Sequence, residues 1–229
     1  WKNESYRDRQ KVFYKFVAWL EANKDIIAEV IVHECGKLKN EAKDELSKAI
    51  EVTEFAMSMV EHDTMEKQLV SAGIHCEFRR EPLGVVVGIT PSNFPAMVAM
   101  WMLPIALMSG NAFVWKPSEK TPFTPTLIAK GLEECGLPEG LLSIIHGNKN
   151  VVEQLCVHPL VKAVGFVGST PAAKHVYQLA TSTFKKALTL GGAKNHIILI
   201  PDAPANMTTN AIVAAFSGYA GQRCMAAIN

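Results

Sequence analysis

The sequence predicts an α/β fold in which N-terminal helices precede a doubly wound, mostly parallel β-sheet and the start of a second α/β unit. Two observations carry this prediction. Apolar residues recur at helical spacing through the first part of the chain, and from Val85 onward short β-branched runs alternate with amphipathic stretches. Continuous apolar strands separated by helices are typical of a parallel sheet that is covered on both faces.

Three helices are predicted before the sheet begins. The first carries an apolar stripe at helical spacing, formed by Phe13, Phe16, Val17 and Leu20. Asn23 is expected to cap a second helix, which ends at Gly36 and contains Ile27, Val30 and Ile31. The apolar side of the third helix consists of Leu46, Ala49, Ile50, Thr53, Met57 and Val60. These stripes indicate packing rather than chemistry.

The sheet and its covering helices are predicted from the change of pattern after Val85. Apolar runs predict strands at 85–89, 112–115, 141–145, 163–167, 186–190 and 197–200. Amphipathic stretches predict helices at 96–109, 124–135 and 151–158 and within 202–220. Residues 69–80 lie outside this alternation and are expected to form an extended ribbon. The Gly191-Gly192 pair is the predicted domain boundary, which separates residues 1–190 from residues 191–229.

The composition argues against several functional classes. Hydrophobic residues make up 48% and charged residues 20% of the chain, as in an ordinary soluble globular protein. The net charge is +1 and no basic stripe suggests nucleic acid, while no apolar run is long enough to cross a bilayer. The cysteines, at positions 35, 76, 135, 156 and 224, form no C-x-x-C pair. We therefore expect no metal site and a reducing compartment.

Three loops that follow predicted strands carry residues suited to binding a ligand: 90–95 (T-P-S-N-F-P), 116–120 (K-P-S-E-K) and 168–171 (G-S-T-P). A doubly wound sheet binds ligands at the carboxyl ends of its strands. The third loop opens a helix whose N–H groups suit a phosphate, with Pro171 in the first turn. Each loop could also be an ordinary turn, and no G-x-G-x-x-G fingerprint is present. Together the three favour a nucleotide site.

Cys224, within G-Q-R-C-M, is a candidate nucleophile. Arg223 directly precedes it, and a neighbouring cation favours the reactive thiolate. A lone cysteine is more often a small buried hydrophobe, and composition alone favours that interpretation.

Taken in order, these motifs resemble the aldehyde dehydrogenase superfamily, and the likeness covers essentially the whole chain. The recurring motifs are E-x-G-K at 34–37, S-N-F-P at 92–95, K-P-S-E at 116–119, F-V-G-S-T at 166–170 and G-Q-R-C at 221–224. Each is short, but the ordered set is highly specific. The resemblance implies that residues 1–190 hold an NAD-binding domain and that 191–229 are the truncated beginning of a catalytic domain. It also implies that 69–80 belong to an oligomerisation element.

The resemblance assigns catalytic roles to two residues. Cys224 matches the nucleophile that attacks the aldehyde and gives a thiohemiacetal. Asn93 matches the side chain that, with the backbone N–H of Cys224, stabilises the oxyanion. Hydride then passes to NAD and leaves a thioester.

The resemblance also assigns the cofactor contacts. Lys116 and Glu119 match the residues that bind the adenine ribose hydroxyls, and Glu119 favours NAD over NADP because a carboxylate repels a 2′-phosphate. Ser169 matches a pyrophosphate contact. The remaining positions along the cofactor cleft are Thr90, Ser92, Lys120 and Gly191.

One position indicates the branch of the family. Hydrolytic members have a Glu just before Leu-Gly-Gly as the base for the deacylating water, whereas this chain has Thr189. A Thr hydroxyl cannot serve as that base near neutral pH, so the thioester needs another acceptor, for which coenzyme A is suited. The stretches G-G-A-K-N-H at 191–196, P-D-A at 201–203 and R-C-M-A at 223–226 resemble the acylating methylmalonate-semialdehyde dehydrogenase branch.

That branch converts methylmalonate or malonate semialdehyde to propionyl- or acetyl-CoA, with loss of the carboxylate as carbon dioxide or bicarbonate. Arg223 is then expected to pair with the substrate carboxylate. Relatives place a second Arg where this chain has Lys48, which keeps the charge but loses the planar fork. Lys48 could equally lie on a solvated helix face.

Two rival functions stay open at this point. One is a hydrolytic aldehyde dehydrogenase that takes its base from elsewhere and gives a free acid; the other is a non-catalytic binding protein on the same fold. In the full-length protein we expect a small-molecule semialdehyde substrate and a homo-oligomer, dimer or tetramer, with no nucleic acid or membrane partner. The expected location is the cytoplasm in a bacterium or the mitochondrial matrix in a eukaryote. Relatives continue beyond the position of Asn229, so we expect the piece alone to be inactive.

Overall fold

The computed structural model describes residues 1–59 and 66–226. Three helices lead into a two-stranded hairpin, and a five-stranded sheet with helices on both faces follows. The predicted α/β class with a parallel sheet is thus confirmed.

The N-terminal helices are α1 (Tyr6–Ala22), α2 (Lys24–Cys35) and α3 (Lys39–Ser58). The residues of the predicted apolar stripes are buried, apart from Val17 and Val30, which are half-buried, and Val60, which is outside the described residues. The prediction for Asn23 was wrong. Its amide Nδ2 donates to the carbonyl of Trp19 at 2.8 Å and so closes α1, and it makes no side-chain cap on α2. The same carbonyl also accepts the backbone N–H of Asn23 at 3.0 Å, so the backbone and side chain of Asn23 together close the last turn of α1. Gly36 ends α2 in the left-handed region, at φ 69°, as a C-terminal glycine commonly does.

The ribbon predicted at 69–80 is an antiparallel hairpin of β1 (Glu66–Ser71) and β2 (Ile74–Phe78). Its apolar side chains are exposed, namely Leu69, Val70, Ile74 and Phe78. An isolated two-stranded hairpin is marginally stable in water. Its role in oligomerisation stays a prediction.

The main sheet has the order β5-β4-β3-β6-β7, and every neighbouring pair is parallel. Its strands are β3 (Val85–Ile89), β4 (Ala112–Lys116), β5 (Leu142–Ile144), β6 (Val161–Val167) and β7 (Lys186–Leu190). Chain order reverses between β3 and β6, because β4 and β5 lie on one side of β3 and the later strands on the other. Such a switch point opens a crevice beyond the carboxyl ends of the strands.

Helices cover both faces of this sheet: α4 (Met97–Met100), α5 (Leu103–Met108), α6 (Phe123–Glu134), α7 (Lys149–Val157) and α8 (Thr170–Ser182). The stretch predicted as one helix at 96–109 is two short ones, α4 and α5, and Pro104 lies in the first turn of α5. Proline lacks an N–H and fits only a first helical turn, which explains the break.

The core has two parts, one on each face of the sheet. The larger one packs α1 to α6 around Phe113 and Trp115 of β4, and the smaller one packs α7 and α8 against Val87, Val164 and Phe166. Within residues 1–59 and 66–226, no helix combines the length and the apolar character that a bilayer crossing requires.

The strand predicted at 197–200 is absent, which corrects that expectation. Residues 191–200 form no regular element, and Ile198 is 88% exposed. A strand needs a neighbouring strand for its backbone N–H and C=O groups, and within the described residues β7 is the last member of this side of the sheet. The helix predicted within 202–220 is confirmed as α9 (Ala205–Ser217).

Gly88 of β3 lies against the ring of Phe113 of β4, and this close packing can be tested by substitution. A Cβ added at Gly88 would lie 2.2 Å from Cζ of Phe113, so Gly88→Ala forces the buried ring to move. We expect this variant to lose about 1–3 kcal/mol of folding free energy, as overpacked cores do. Denaturant unfolding measures the loss. The double variant Gly88→Ala/Phe113→Leu should lose less than the two single variants added together; strict additivity would contradict the proposed clash.

Candidate active site

Four loops meet at the carboxyl edge of the sheet, because all five strands run in the same direction. They follow β3, β4, β6 and β7 and begin at Thr90, Pro117, Gly168 and Gly191. The sequence predicted its catalytic and cofactor-binding residues largely on these loops. The structure therefore brings the loop candidates to one edge.

The loop after β3 carries Asn93 to the segment that contains Cys224. Thr90 starts this loop from a buried position, where its hydroxyl accepts from Nε1 of Trp115 at 2.9 Å and its N–H donates to the carbonyl of Lys116. The amide Nδ2 of Asn93 donates to the carbonyl of Gln222 at 3.0 Å. Asn93 thus lies against the backbone two residues before the candidate nucleophile.

A buried ion pair between Lys37 and Glu45 holds the end of this loop in place. The ammonium of Lys37 pairs with Oε2 of Glu45, and both side chains are at most 1% exposed. The other oxygen, Oε1, accepts the backbone N–H groups of Ala96 and Met97 at 2.9 and 3.1 Å. Glu45 therefore joins α3 to the end of the loop that bears Asn93.

Burial raises the pKa of the Glu45 carboxyl, and the nearby Lys37 ammonium opposes that rise. A carboxylate this deeply buried is costly unless it is paired and hydrogen-bonded. The ion pair and the two N–H donors supply both conditions, so the loop position depends on Lys37 as well as on Glu45.

The same ammonium lies between two aromatic rings. Its Nζ is 3.8 Å from the ring centroid of Phe94 and 4.7 Å from that of Tyr219. Tyr219 is held further by α2 and α3, because its N–H donates to Oε1 of Glu41 at 3.0 Å and its hydroxyl donates to the carbonyl of Cys35 at 3.2 Å. Lys37 thus links the Asn93 loop to the segment that leads to Cys224.

Glu34, the other charged residue of the E-x-G-K motif, caps α6. Its two carboxylate oxygens accept the backbone N–H groups of Phe123 and Thr124 at 2.6 and 2.9 Å. These are N–H groups of the first helical turn, which have no partner inside the helix. Because α6 directly follows the K-P-S-E loop, Glu34 fixes one end of that loop.

The segment before Cys224 turns sharply. After α9, residues Gly218–Gly221 form a short 3-10 turn, in which Tyr219, Ala220 and Gly221 all have positive φ values of 50°, 51° and 77°. Such backbone is costly for residues with a Cβ and persists only where other contacts enforce it. The contacts of Tyr219 described above supply that enforcement.

Cys224 itself is half-buried and is held through its backbone. Nδ2 of Asn195 donates to the carbonyls of Cys224 and Ala226, at 2.8 and 2.7 Å. The preceding residue, Arg223, turns back onto the end of α9, where its Nη2 donates to the carbonyls of Ala214 and Ala215. Arg223 therefore anchors the segment as well as bearing charge.

Three of the other cysteines have surroundings that disfavour the thiolate. Burial raises the pKa of the Cys35 thiol to about 11, and the thiol donates to the carbonyl of Ser92 at 3.3 Å. Burial likewise raises the pKa of Cys156 to about 11 and raises that of Cys135. Cys76 lies on the hairpin. Since the thiolate is the nucleophile, burial makes Cys35, Cys135 and Cys156 poor nucleophiles.

The candidate adenosine end lies after β4. Lys116 is buried, and its ammonium reaches the exposed Glu119 carboxylate at 3.2 Å. The N–H of Glu119 and the Lys116 ammonium hold the pKa of that carboxyl below its usual value. Lys120 is exposed beside them. A carboxylate that stays ionised suits the ribose hydroxyls and opposes a phosphate.

The candidate phosphate end lies at the start of α8. Ser169 precedes this helix and is exposed, and its side chain caps none of the first-turn N–H groups. Gly191 passes close by: a Cβ there would lie 3.0 Å from Oγ1 of Thr170. This cradle fits a dinucleotide pyrophosphate, which needs close backbone approach and N–H donors.

Lys48 lies apart from these loops on the exposed face of α3. Its ammonium pairs with Glu51 at 2.5 Å, and both side chains are more than half exposed. A substrate-carboxylate role for Lys48 and Arg223 stays a prediction, because Lys48 pairs with Glu51 of α3 and Arg223 contacts the end of α9.

Four important residues were not singled out from the sequence: Lys37, Glu45, Tyr219 and Asn195. Lys37 and Asn195 belong to the quoted E-x-G-K and G-G-A-K-N-H stretches, which was the available signal. Glu45 lies next to Leu46 at the edge of the apolar stripe, and nothing in the pattern of α3 distinguishes a buried Glu there from a solvated one.

Comparison with known proteins identifies the family. The profile of the aldehyde dehydrogenase family matches residues 1–228. A malonate-semialdehyde dehydrogenase of Pseudomonas aeruginosa is 43% identical over 227 residues, which cover 99% of this chain and 46% of that protein. This chain therefore spans about half the length of the curated relatives it matches.

Solved structures of related proteins superpose closely on this chain. The methylmalonate-semialdehyde dehydrogenase of Oceanimonas doudoroffii superposes with a TM-score of 0.95 at 42% identity, over 99% of this chain and 47% of that one. A Sinorhizobium meliloti protein in complex with NAD superposes with a TM-score of 0.95 at 41% identity, over 99% of this chain and 46% of that one.

The buried ion pair yields a stability test. Lys37→Met leaves the Glu45 carboxylate buried without its cation, which should cost about 3–5 kcal/mol of folding free energy. In the double variant Lys37→Met/Glu45→Gln the charge is gone while an oxygen remains for the two loop N–H groups, so most of the loss should be recovered. Denaturant unfolding of the full-length protein measures both. The control is Lys39→Met, which removes an exposed pair with Glu29 and should cost less than about 1 kcal/mol; equal losses for the two lysines would contradict this assignment.

Proposed function

Because this chain belongs to the aldehyde dehydrogenase family, we propose that the full-length protein oxidises a semialdehyde with NAD through a thioester on Cys224 and transfers the acyl group to coenzyme A. The observation that carries this proposal is the contact of Asn93 with the carbonyl of Gln222, which places an amide donor beside the Cys224 segment. Names of relatives support a semialdehyde substrate.

The first step is addition of the Cys224 thiolate to the aldehyde carbon. The carbonyl π pair moves to oxygen, and the oxyanion is stabilised by N–H donors that are already oriented. Nδ2 of Asn93 carries two hydrogens, of which one is directed at Gln222. The second is available to the oxyanion, together with the backbone N–H of Cys224.

The residues at the sheet edge would hold NAD. Lys116 and Glu119 would bind the adenine ribose, Ser169 and the start of α8 the pyrophosphate, and Gly191 leaves the space that close approach requires. The cleft between them is completed by Thr90, Ser92 and Lys120. NAD, when bound there, would supply the acceptor for the hydride that the thiohemiacetal on Cys224 gives up in becoming a thioester.

Thr189 directs the release of the acyl group. It lies in β7 opposite Phe166 of β6, two positions before the Gly191 loop. A hydroxyl is too weakly basic to activate water near neutral pH, so hydrolysis lacks a base at this position. The thiolate of coenzyme A attacks the thioester carbon, and the Cys224 thiolate leaves.

Arg223 and Lys48 would recognise the substrate carboxylate. A guanidinium carries five N–H donors, and the contacts of Nη2 with the end of α9 use part of that set. We propose that Arg223 is the main partner and that Lys48 contributes charge, after moving from Glu51. In the malonate series the bond between the α-carbon and this carboxylate then breaks, and the α-carbon keeps the electron pair and takes a proton from solvent. The carboxylate leaves as carbon dioxide, or as bicarbonate after hydration.

Self-association of the full-length protein through the β1–β2 hairpin completes the proposal. Four apolar side chains are exposed on this hairpin, and the edges of a two-stranded sheet leave backbone groups available to a second copy. A homodimer or tetramer follows from repeating that contact.

The acylating reaction is tested by NADH formation from malonate semialdehyde with and without coenzyme A, using the full-length protein. We expect turnover to require coenzyme A and to yield acetyl-CoA, and Cys224→Ala to abolish it. Cys76→Ala is the matched control and should keep wild-type turnover. Fast formation of a free acid without coenzyme A would favour the hydrolytic rival, and absence of NAD binding would favour a non-catalytic protein.

Cofactor choice is tested at Glu119. Glu119→Gln removes the charge that repels a 2′-phosphate, so the ratio of kcat/KM for NADP to that for NAD should rise by about 10-fold or more, equivalent to roughly 1.4 kcal/mol. Steady-state kinetics with both cofactors measure the ratio. Glu133→Gln, an exposed carboxylate on α6, is the control; an unchanged ratio in Glu119→Gln would show that this carboxylate does not select the cofactor.

A further inference from the structure

We propose that Asn195 is a positioning residue that fixes the peptide of Cys224, and with it the direction of the thiol, relative to the phosphate end of the cofactor cleft. The inference rests on the proposed role of Cys224 as nucleophile. Asn195 contacts the backbone of the reacting segment and does not itself touch the reacting atoms.

The contact is bidentate. A single amide nitrogen, Nδ2, donates one hydrogen to the carbonyl of Cys224 and one to that of Ala226, at 2.8 and 2.7 Å. The same residues form a tight turn, because the N–H of Ala226 donates to the carbonyl of Arg223 at 3.0 Å. Asn195 therefore donates to the carbonyls of the two residues on either side of Met225, Cys224 and Ala226, and holds the turn in one orientation.

Orientation of the Cys224 carbonyl matters for the thiol. The peptide unit is planar, so holding this carbonyl restricts ψ of Cys224 and thereby the direction of its Cα–Cβ bond. Catalytic groups must be held near the productive geometry, and a displacement of about 1 Å costs on the order of 10²-fold in rate. A freely turning peptide would spread Sγ over several positions.

The chain before Asn195 connects this turn to α8. The N–H of Gly192 donates to Oγ1 of Thr170 at 2.9 Å, in the first turn of that helix. Only Ala193 and Lys194 lie between the two fixed residues, Gly192 and Asn195. An extended chain spans at most about 3.3–3.6 Å per residue. The nucleophile turn is thus tethered within a short distance of the candidate pyrophosphate site.

The geometry also specifies the residue type. An Asp of the same shape has no amide hydrogens and would place an ionised carboxylate against two carbonyl oxygens. A Ser or Ala side chain is too short to bridge both. Asn195 is half-buried, so water replaces these bonds only in part.

The test compares Asn195→Asp and Asn195→Ser with the control Asn206→Asp, which makes the same chemical change at an exposed position of α9. All are made in the full-length protein. The rate of Cys224 alkylation by iodoacetamide is followed by peptide mass spectrometry across a range of pH, next to kcat, KM for the aldehyde and Kd for NAD. Thermal unfolding checks that each variant is folded.

We expect both Asn195 variants to lose about 10- to 100-fold in kcat with little change in KM, and to show an altered pH profile of alkylation. Kd for NAD and all values of Asn206→Asp should stay at wild type. Wild-type kcat and alkylation profile in a folded Asn195 variant would overturn the proposal; if Asn195→Asp does not fold, Asn195→Ser decides. Should Cys224→Ala keep turnover, the proposed function fails, while the alkylation profile still decides whether Asn195 directs this thiol.

Discussion

The buried ion pair between Lys37 and Glu45 is the interaction on which the candidate site depends. One carboxylate oxygen meets the ammonium and the other holds the backbone that follows the Asn93 loop. The ammonium in turn lies between Phe94 and Tyr219. Cation–π contacts of desolvated cations contribute up to about 2 kcal/mol each, so this one cation stabilises two loops that share no strand. Three parts of the chain therefore meet at Lys37: the ion pair with α3 and the two segments that carry Phe94 and Tyr219.

The parallel sheet brings the loop held by that ion pair to the same edge as the other candidate loops. Because β3 lies at the point where chain order reverses, the loop after it faces the crevice, and the loops after β4, β6 and β7 line the same edge. Glu34 secures the β4 side through α6, and Thr170 secures the β7 side through Gly192. The N-terminal helices, which carry no catalytic residue, therefore act on the site by holding its loops.

Much of this arrangement follows from the sequence, and the exceptions have physical causes. Helical stripes and β-branched runs are local patterns, so α1 to α3 were predicted as helices, and the five strands of the main sheet were predicted close to their observed bounds. The strand predicted at 197–200 needed a partner strand that no local pattern reveals. Asn23 had two ways to use its amide, and the carbonyl behind it was the one taken.

Some residues of the candidate site were predicted from the sequence, and others were not. Cys224, Asn93, Lys116 and Glu119 were identified through ordered motifs, and the structure places Asn93 beside the Cys224 segment and Glu119 beside Lys116. The residues that hold them were missed because a buried charge such as Glu45 looks, in one dimension, like a solvated one. Only the fold shows that Glu45 faces Lys37 and that the amide of Asn195 faces the carbonyl of Cys224.

The contact between Tyr219 and Cys35 spans 184 positions of sequence, and this separation has a consequence for synthesis. Chains emerge from the ribosome N-terminus first, and closing so long a loop is slow compared with forming a helix. Lys37 and Phe94 are available early, whereas the second aromatic ring arrives only when residue 219 has been translated. The turn that carries Cys224 therefore forms late, onto a sheet whose loops are already in place, so a nascent chain completes the candidate cofactor loops before it positions the candidate nucleophile.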